Sequence, residues 1–535
     1  MFKKIAEFSK QNKAFYGAVA MIIVALIAVY VESCFGIHPV TEAIPQYHKL
    51  WVLFLIGVFL GLAGLVLLAV VLFVNVKAKK PSFTVVTSVL ISVLAFTYMF
   101  VMPPMSSADD IRHYLAAYKL SNQMMFKEAV DENNHVYMRA EDVNILLNDF
   151  PGNDDYYKLV TNMGGSVDNT PVAFTLDEPV ECLWIAYFPS ALGITIARIF
   201  GMRQIPLMLM GRLFSIIFFM VFYVLTMRKL PFGREVFFFI CALPMTLNQI
   251  ASCSYDVLVL AFSFYFTAYV LQLAFMADRV RVRDMVILTA VMTIMAPVKT
   301  VYIFLALLMF MIPRAKFGSA KKYVISALSM AFVVGGFFLA LKLVKIDEYV
   351  SQTDPYLDYA GTTVYPMSFI LGNPMTVFKI FVNTLAVYAG SWFDDMLGLR
   401  LGWQDVTLPR ILIVFVAILG CFTAVKSAGE PTYFKPGQRT VAIAAAVCCS
   451  LMTMAALFLV YTPEGAQFIY GVQGRYFLPV LPLFMLGIRT DAIRRRDGSE
   501  RWIVFGAAVI NYWAIGCIIA EVMSRSGVMK MLGAS

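Results

Sequence analysis

"FTVVTSVLISVLAFTYMFVMPPMSSADDIRHYLAAYKLSN" occupies residues 83–122. Its first half, through Met102, carries no charge. At 1.5 Å per residue that half is long enough to cross a hydrocarbon layer of about 30 Å as a helix. Pro103 and Pro104 close it. Asp109, Asp110, Arg112 and His113 then fall within about one helical turn, at the point where the chain leaves the apolar phase. The stretch therefore reads as a membrane span running into a dense group of ionisable side chains.

The rest of the chain carries the same signal. Of its 535 residues 60% are hydrophobic and 14% charged, where a soluble domain has roughly 25% charged. Apolar runs long enough to span a bilayer recur along the length, so the chain reads as an all-α polytopic membrane protein. The formal net charge of +9 is no nucleic-acid signal. The Lys and Arg residues sit in short loops, as expected for cytoplasmic connections. The eight cysteines are scattered without metal-ligand spacing and read as small packing residues, with Cys182 best placed to face the exterior. The basic N-terminus followed by the apolar run to Cys34 resembles a signal sequence, but the run is too long for one and reads as a retained first span.

Hydropathy and the Lys/Arg bias orient the segments. Residues 1–102 hold three spans (14–34, 51–76 and 83–102), leaving Lys77, Lys79 and Lys80 inside and Asp109 on the outer surface. Residues 103–204 form a large external loop with interfacial helices, and 181–200 is read as one of these rather than a span. Residues 205–345 supply central spans at 205–227, 235–252, 254–276, 285–296, 301–313 and 323–345. Residues 346–409 form a second external region, acidic at first (Asp347, Glu348, Asp354, Asp358), with an interfacial or re-entrant stretch near 374–391. Residues 410–535 close with spans at 410–426, 440–461, 475–488 and 502–522. The total is about 13 spans, with a cytoplasmic N-terminus. No internal repeat of the kind common in transporters is visible.

This topology brings polar groups from separate spans to the outer helix ends: Asp109, Asp110, Arg112, His113, Asn248, Gln249, Asp256, Lys299, Gln473 and Arg475. Ionisable groups beside hydrocarbon are costly and point to function. Asp109 shares a helix face with Arg112 and His113. Ile111, Leu115 and Tyr118 make an apolar stripe suited to lying on lipid. Asp109 also suits a helix N-cap, Lys299 a snorkelling helix end, and Arg475 a pairing with an acid such as Asp256. The functional alternative is a lipid-phosphate site. Lys299 and Arg475 would hold the phosphate, and a carboxylate would take a proton from an acceptor. Asp109 and Asp110 could also bind Mg²⁺ or Mn²⁺ through oxygen, although two carboxylates are a weak metal signal.

Several motifs match a known family. "DDIRHYLAAYKLS" after "MPP" resembles a signature of the form D-E-P-x-H-F-x-R-A-Y-x-L-S that follows a proline pair. "YFPSALGITIARIFG", "GRLFS", "QIASCSYDVL", "PVKTVYIFLALLMFMIP" and "GVQGRYFLPVLPL" resemble other segments of that family. It comprises bacterial membrane proteins described as a domain of unknown function and allied to the GT-C glycosyltransferases, which use polyprenyl-phosphate sugars. The resemblance implies a GT-C-like fold in the bacterial inner membrane. It implies sugar transfer with inversion from a polyprenyl-phosphate donor to a glycan, lipid or protein acceptor outside. By position it implies Asp109 as the catalytic carboxylate, with Asp110 and His113 beside it and Lys299 and Arg475 on the donor phosphate. Arg112, Gln249, Asp256 and Gln473 line the same substrate site in that reading. Ile111 departs from the family's proline and Asp110 from its glutamate. A glycolipid transporter or flippase, an O-antigen-type polymerase or ligase, and a non-catalytic scaffold remain as other classes.

Overall fold

The computed structural model describes residues 13–43, 48–73, 82–146, 164–343, 363–430, 434–490 and 492–531. Lys77, Lys79, Lys80 and the acidic run Asp347–Asp358 lie outside the described residues. Among the described residues, eight helices are long and apolar enough to cross a membrane. They fall within α1 (Lys13–Ala43), α2 (His48–Phe73), α3 (Phe83–Val101), α6 (Gln204–Lys229), α9 (Asp256–Phe275), α11 (Ala320–Leu343), α14 (Pro436–Tyr461) and α16 (Glu500–Met531). Several of the about 13 expected spans are short or broken helices among the described residues, so that total is not confirmed.

The segment expected to span at 235–252 is broken into α7 (Arg234–Cys241) and α8 (Pro244–Ile250). Pro244 lacks an N–H and starts the second helix at its first turn. The Ala242 carbonyl freed at the break accepts from Asn511 Nδ2 (2.8 Å), and Asn511 Oδ1 accepts from Tyr98 Oη (3.1 Å). Broken backbone is tolerable at this depth only because it is satisfied internally. Residues Thr300–Met311 form a 3₁₀ helix of 12 residues. The helix α10 before it (Val282–Val298) has 17 residues and contains Pro297. The segment at 475–488 is a short 3₁₀ helix, Gly474–Val480, followed by α15 (Leu481–Gly487). Helix α13 (Arg410–Ala424) has 15 residues. The stretch near 374–391 belongs to one helix, α12 (Pro374–Leu397), of 24 residues.

Helix α9 is apolar all round and buried all round, which places it at the centre of the bundle. Helix α6 flanks it, and the first and last spans, α1 and α16, pack along each other. Helices α2 and α11 keep most of their apolar surface exposed, as lipid-facing helices do.

The segment after α3 is folded rather than extended. Helix α4 (Asp110–Met124) packs on α5 (Phe188–Ile199), and α5 in turn on α6. A Cβ on Gly193 would overlap the Met210 carbonyl, so glycine is required for that close crossing. A two-stranded ribbon of Tyr137–Arg139 and Pro171–Ala173 caps the assembly. Leu115 and Tyr118 are fully buried within protein. The expected lipid-facing stripe is therefore a core face, because α5 and the ribbon cover the surface assigned to lipid. Helix α5 spans 12 residues, about 18 Å, and is too short to cross a bilayer.

At the opposite end of the bundle, buried Arg489 and Arg495 both pair with Glu235 (2.6 and 2.7 Å), and Arg489 also with Glu430 (2.8 Å). This lock ties α7 to the loop that follows α13 and to the one before α16.

Candidate functional site

The site lies where α3 ends, α4 and α9 begin, α10 ends and the Gly474–Val480 helix starts. Arg475 Nη2 donates to Asp109 Oδ2 at 3.0 Å, joining residues 366 positions apart. Lys299 Nζ donates to Asp256 Oδ1 at 2.8 Å. Tyr476 lies between the two pairs, with the Lys299 ammonium 4.2 Å and the Arg475 guanidinium 5.2 Å from its ring centroid. Lys299 is also 5.3 Å from the Tyr255 ring. A cation over an aromatic face gains about 0.5–2 kcal/mol as it loses water. Tyr302 Oη donates to the Tyr476 carbonyl at 2.7 Å and fixes that turn.

Arg475 does pair with an acid, as expected, but with Asp109 rather than Asp256, and Lys299 is drawn inward to Asp256 rather than outward to solvent. Asp109 does occupy the N-cap position of α4, but its carboxylate makes no capping bond. Its backbone is left-handed (φ 58°, ψ 20°), an uncommon conformation outside glycine that Asp tolerates better than most residues. The carboxylate is aimed at Arg475 instead of at the helix amides.

Glycine at 474 makes that aim possible. A Cβ there would overlap the Trp392 carbonyl and lie 2.6 Å from the Met396 nitrogen. The backbone before Arg475 thus runs hard against the end of α12.

His113 is buried on the same side, its ring edge-on to Tyr255 at 4.8 Å. Its Nδ1 shares a 2.7 Å hydrogen bond with Tyr187 Oη. Burial lowers the His113 pKa to about 4, and the nearby Asp109 and Asp256 carboxylates only partly oppose this. The imidazole is therefore neutral at pH 7. Cys182 sits close enough to feel both Lys299 and Asp256, and burial pushes its thiol up to about 12. All eight cysteines are free.

The neighbouring carboxylates Asp109 and Asp110 diverge. Asp110 is buried and accepts from Arg212 Nη2 at 3.0 Å. Arg212 also donates to the carbonyls of Met99 (3.3 Å), Met102 (2.9 Å) and Pro103 (3.0 Å). Two carboxylates turned to different arginines do not fit a shared Mg²⁺ or Mn²⁺ site, which needs convergent oxygens. Among the described residues no group of three His, Cys, Asp or Glu side chains is placed to hold a metal ion.

Other expected residues stand at the edge. Arg112 Nε donates to the Glu178 carbonyl (3.3 Å) and lies 3.5 Å from Asp177, so it holds the loop before α5. Gln473 is the half-buried residue before the Gly474 helix. Gln249 is buried, its amide facing Met245 Sδ at 3.9 Å, and it makes no hydrogen bond to the cluster among the described residues. Asn248 is also buried, and neither polar atom of its side chain has a partner among the described residues.

Sequence reasoning missed Arg212, Tyr187, Tyr255 and Tyr476. An arginine inside an apolar run was the available signal for Arg212. Tyr255 and Tyr476 each adjoin a charged site residue in sequence.

No curated protein and no solved structure matches the chain. The model of one membrane-protein family does, over residues 90–484, which include every group of the cluster from Asp109 to Arg475. The chain thus belongs to the family described as "Predicted membrane protein (DUF2142)".

Proposed function

We propose that this multi-pass membrane protein is a glycosyltransferase of the GT-C type. It takes a sugar from a polyprenyl-phosphate donor and transfers it to an acceptor on the outer face of the bacterial inner membrane, in the synthesis or modification of envelope glycans. One observation carries the reading: a half-exposed carboxylate, Asp109, pairs with the buried Arg475, which shares the Tyr476 ring with a second largely buried cation, Lys299. Acid and cations so placed match what this transfer needs at its two ends.

In the reaction, an acceptor hydroxyl attacks the anomeric carbon and gives its proton to Asp109. The bond from that carbon to the phosphate oxygen breaks, and the electron pair leaves with polyprenyl phosphate. Arg475 and Lys299 stabilise the charge on the departing phosphate. Direct displacement inverts the anomeric centre. Neutral His113 and Tyr187 form the wall behind Asp109, and Asp110 acts through Arg212 to fix the loop that presents it.

Every donor of this class leaves the same product, so the test avoids choosing a sugar. Purified protein in nanodiscs is supplied with a lipid extract containing polyprenyl-linked sugars, and released polyprenyl phosphate is measured. Release by the wild type that Asp109→Asn abolishes supports the reading. A glycosidic product with retained configuration contradicts the mechanism, and equal release by Asp109→Asn removes Asp109 from the chemistry.

A further inference from the structure

The two ion pairs of the site differ in who is buried. In Lys299–Asp256 both side chains are mostly covered (17% and 11% exposed). In Arg475–Asp109 the cation is 6% exposed and the acid 42%. Arg475 is thus held inside, while the Asp109 carboxylate is partly open to solvent.

Arg475 is also under-used. Its Nε is buried and has no acceptor among the described residues, and its Nη1 reaches only the Ala108 carbonyl, at 3.5 Å. A guanidinium offers five donors in a planar fork that matches an oxyanion, and an unpaired buried donor is unfavourable. Asp109 satisfies one of those five through a single oxygen, and the Tyr476 hydroxyl accepts from the same Nη2 at 3.3 Å. No capping bond holds the Asp109 side chain in place, and its backbone is left-handed. Lys299 faces the same Tyr476 ring as Arg475, so an anion reaching Arg475 also enters the field of Lys299.

We infer that a phosphate anion, whether the diester of a lipid-linked sugar or the monoester it leaves, binds by displacing Asp109 from Arg475, so that the anion and the carboxylate exchange places on one guanidinium. Anion binding then frees the Asp109 carboxylate, which faces the acceptor only after the phosphate is seated. The acid that serves as base in the proposed transfer is masked by its own counter-ion until then. The exchange rests on the lipid-phosphate reading for the source of the anion, but its own claim is competition between two anions.

Competition has a sign that a merely supportive Asp109 would not give. The full chain in nanodiscs is titrated with undecaprenyl phosphate and, separately, with inorganic phosphate, for wild type, Asp109→Asn, Asp109→Glu and Arg475→Gln. Asp109→Asn is expected to bind at least tenfold more tightly than wild type, about 1.4 kcal/mol. Asp109→Glu keeps the competing charge and is expected to bind as wild type, and Arg475→Gln at least tenfold more weakly. Tightening with both ligands supports exchange with phosphate of either source, and tightening with the lipid alone supports a lipid headgroup. Wild-type binding that Asp109→Asn leaves unchanged or weakens overturns the exchange and leaves the lipid-donor reading standing. No binding to any variant overturns both.

Discussion

Arg212, completely buried in the first third of α6, donates to Asp110 Oδ2 at 3.0 Å across 102 residues of sequence. The same guanidinium donates to the carbonyls of Met99, Met102 and Pro103. One side chain therefore ends the third span, shapes the loop after it and turns Asp110 inward. Asp109, the next residue back, is left pointing at Arg475.

Arg212→Met is expected to be severely destabilising. It would leave the Asp110 charge and three carbonyls buried without their partner, and breaking such a pair from one side costs about 3–5 kcal/mol. The double variant Arg212→Met with Asp110→Asn should recover part of the loss. Thermal unfolding in nanodiscs measures both, and a near-normal melting temperature for Arg212→Met alone would refute the clamp.

His113 makes stability depend on pH with a defined sign. Its folded pKa is about 4, while in the unfolded chain an ordinary histidine titrates near 6.5. Between those values the unfolded state binds the extra proton. Stability from this residue is thus present above about pH 6.5 and is lost as pH falls toward 4, by roughly 3 kcal/mol at full extent. His113→Gln should flatten the melting temperature over that window relative to wild type. An unchanged slope would show that other groups dominate it.

Tyr476 should matter to anion binding through its ring. Tyr476→Leu removes the face shared by Lys299 and Arg475 and is expected to weaken undecaprenyl phosphate binding by about 3- to 30-fold. Tyr476→Phe keeps the face and loses only the 3.3 Å contact from Arg475 Nη2, so its effect should be smaller. Equal losses in the two titrations would argue that the hydroxyl, not the ring, is the contributing part.

Gly474→Ala tests the close approach behind Arg475. The added methyl meets the Trp392 carbonyl and the Met396 nitrogen, so the turn must shift. The expected outcome is a protein that still folds, with a lower melting temperature and phosphate binding reduced about tenfold or more. Normal binding by this variant would show that Arg475 tolerates displacement.

The long uniform runs were legible because hydropathy over some 20 residues is a sum that local detail does not upset. Residues 83–102, 205–227 and 254–276 emerged as helices α3, α6 and α9. The break within 235–252 is invisible to hydropathy, although Pro244 stands there and lacks the N–H a continuous helix needs. Residues Asp109, Asp256, Lys299 and Arg475 were legible as a group because each is a costly charge at a span end. Their pairing was not, since it depends on which helix ends meet, and Asp109 and Arg475 are 366 residues apart. The opposite orientations of Asp109 and Asp110 were hidden for the same reason. Arg212, which sets them, sits in a span that looked merely hydrophobic.

The central claim is that Arg475 and Lys299 hold the phosphate of a lipid-linked donor. Its most direct test is equilibrium binding of undecaprenyl phosphate to the protein in nanodiscs, for wild type, Lys299→Ala and Arg475→Ala. The account predicts saturable binding that each substitution weakens by about tenfold or more, the scale of a charge-assisted hydrogen bond. Saturable binding untouched by either substitution, or none in the wild type, would contradict it.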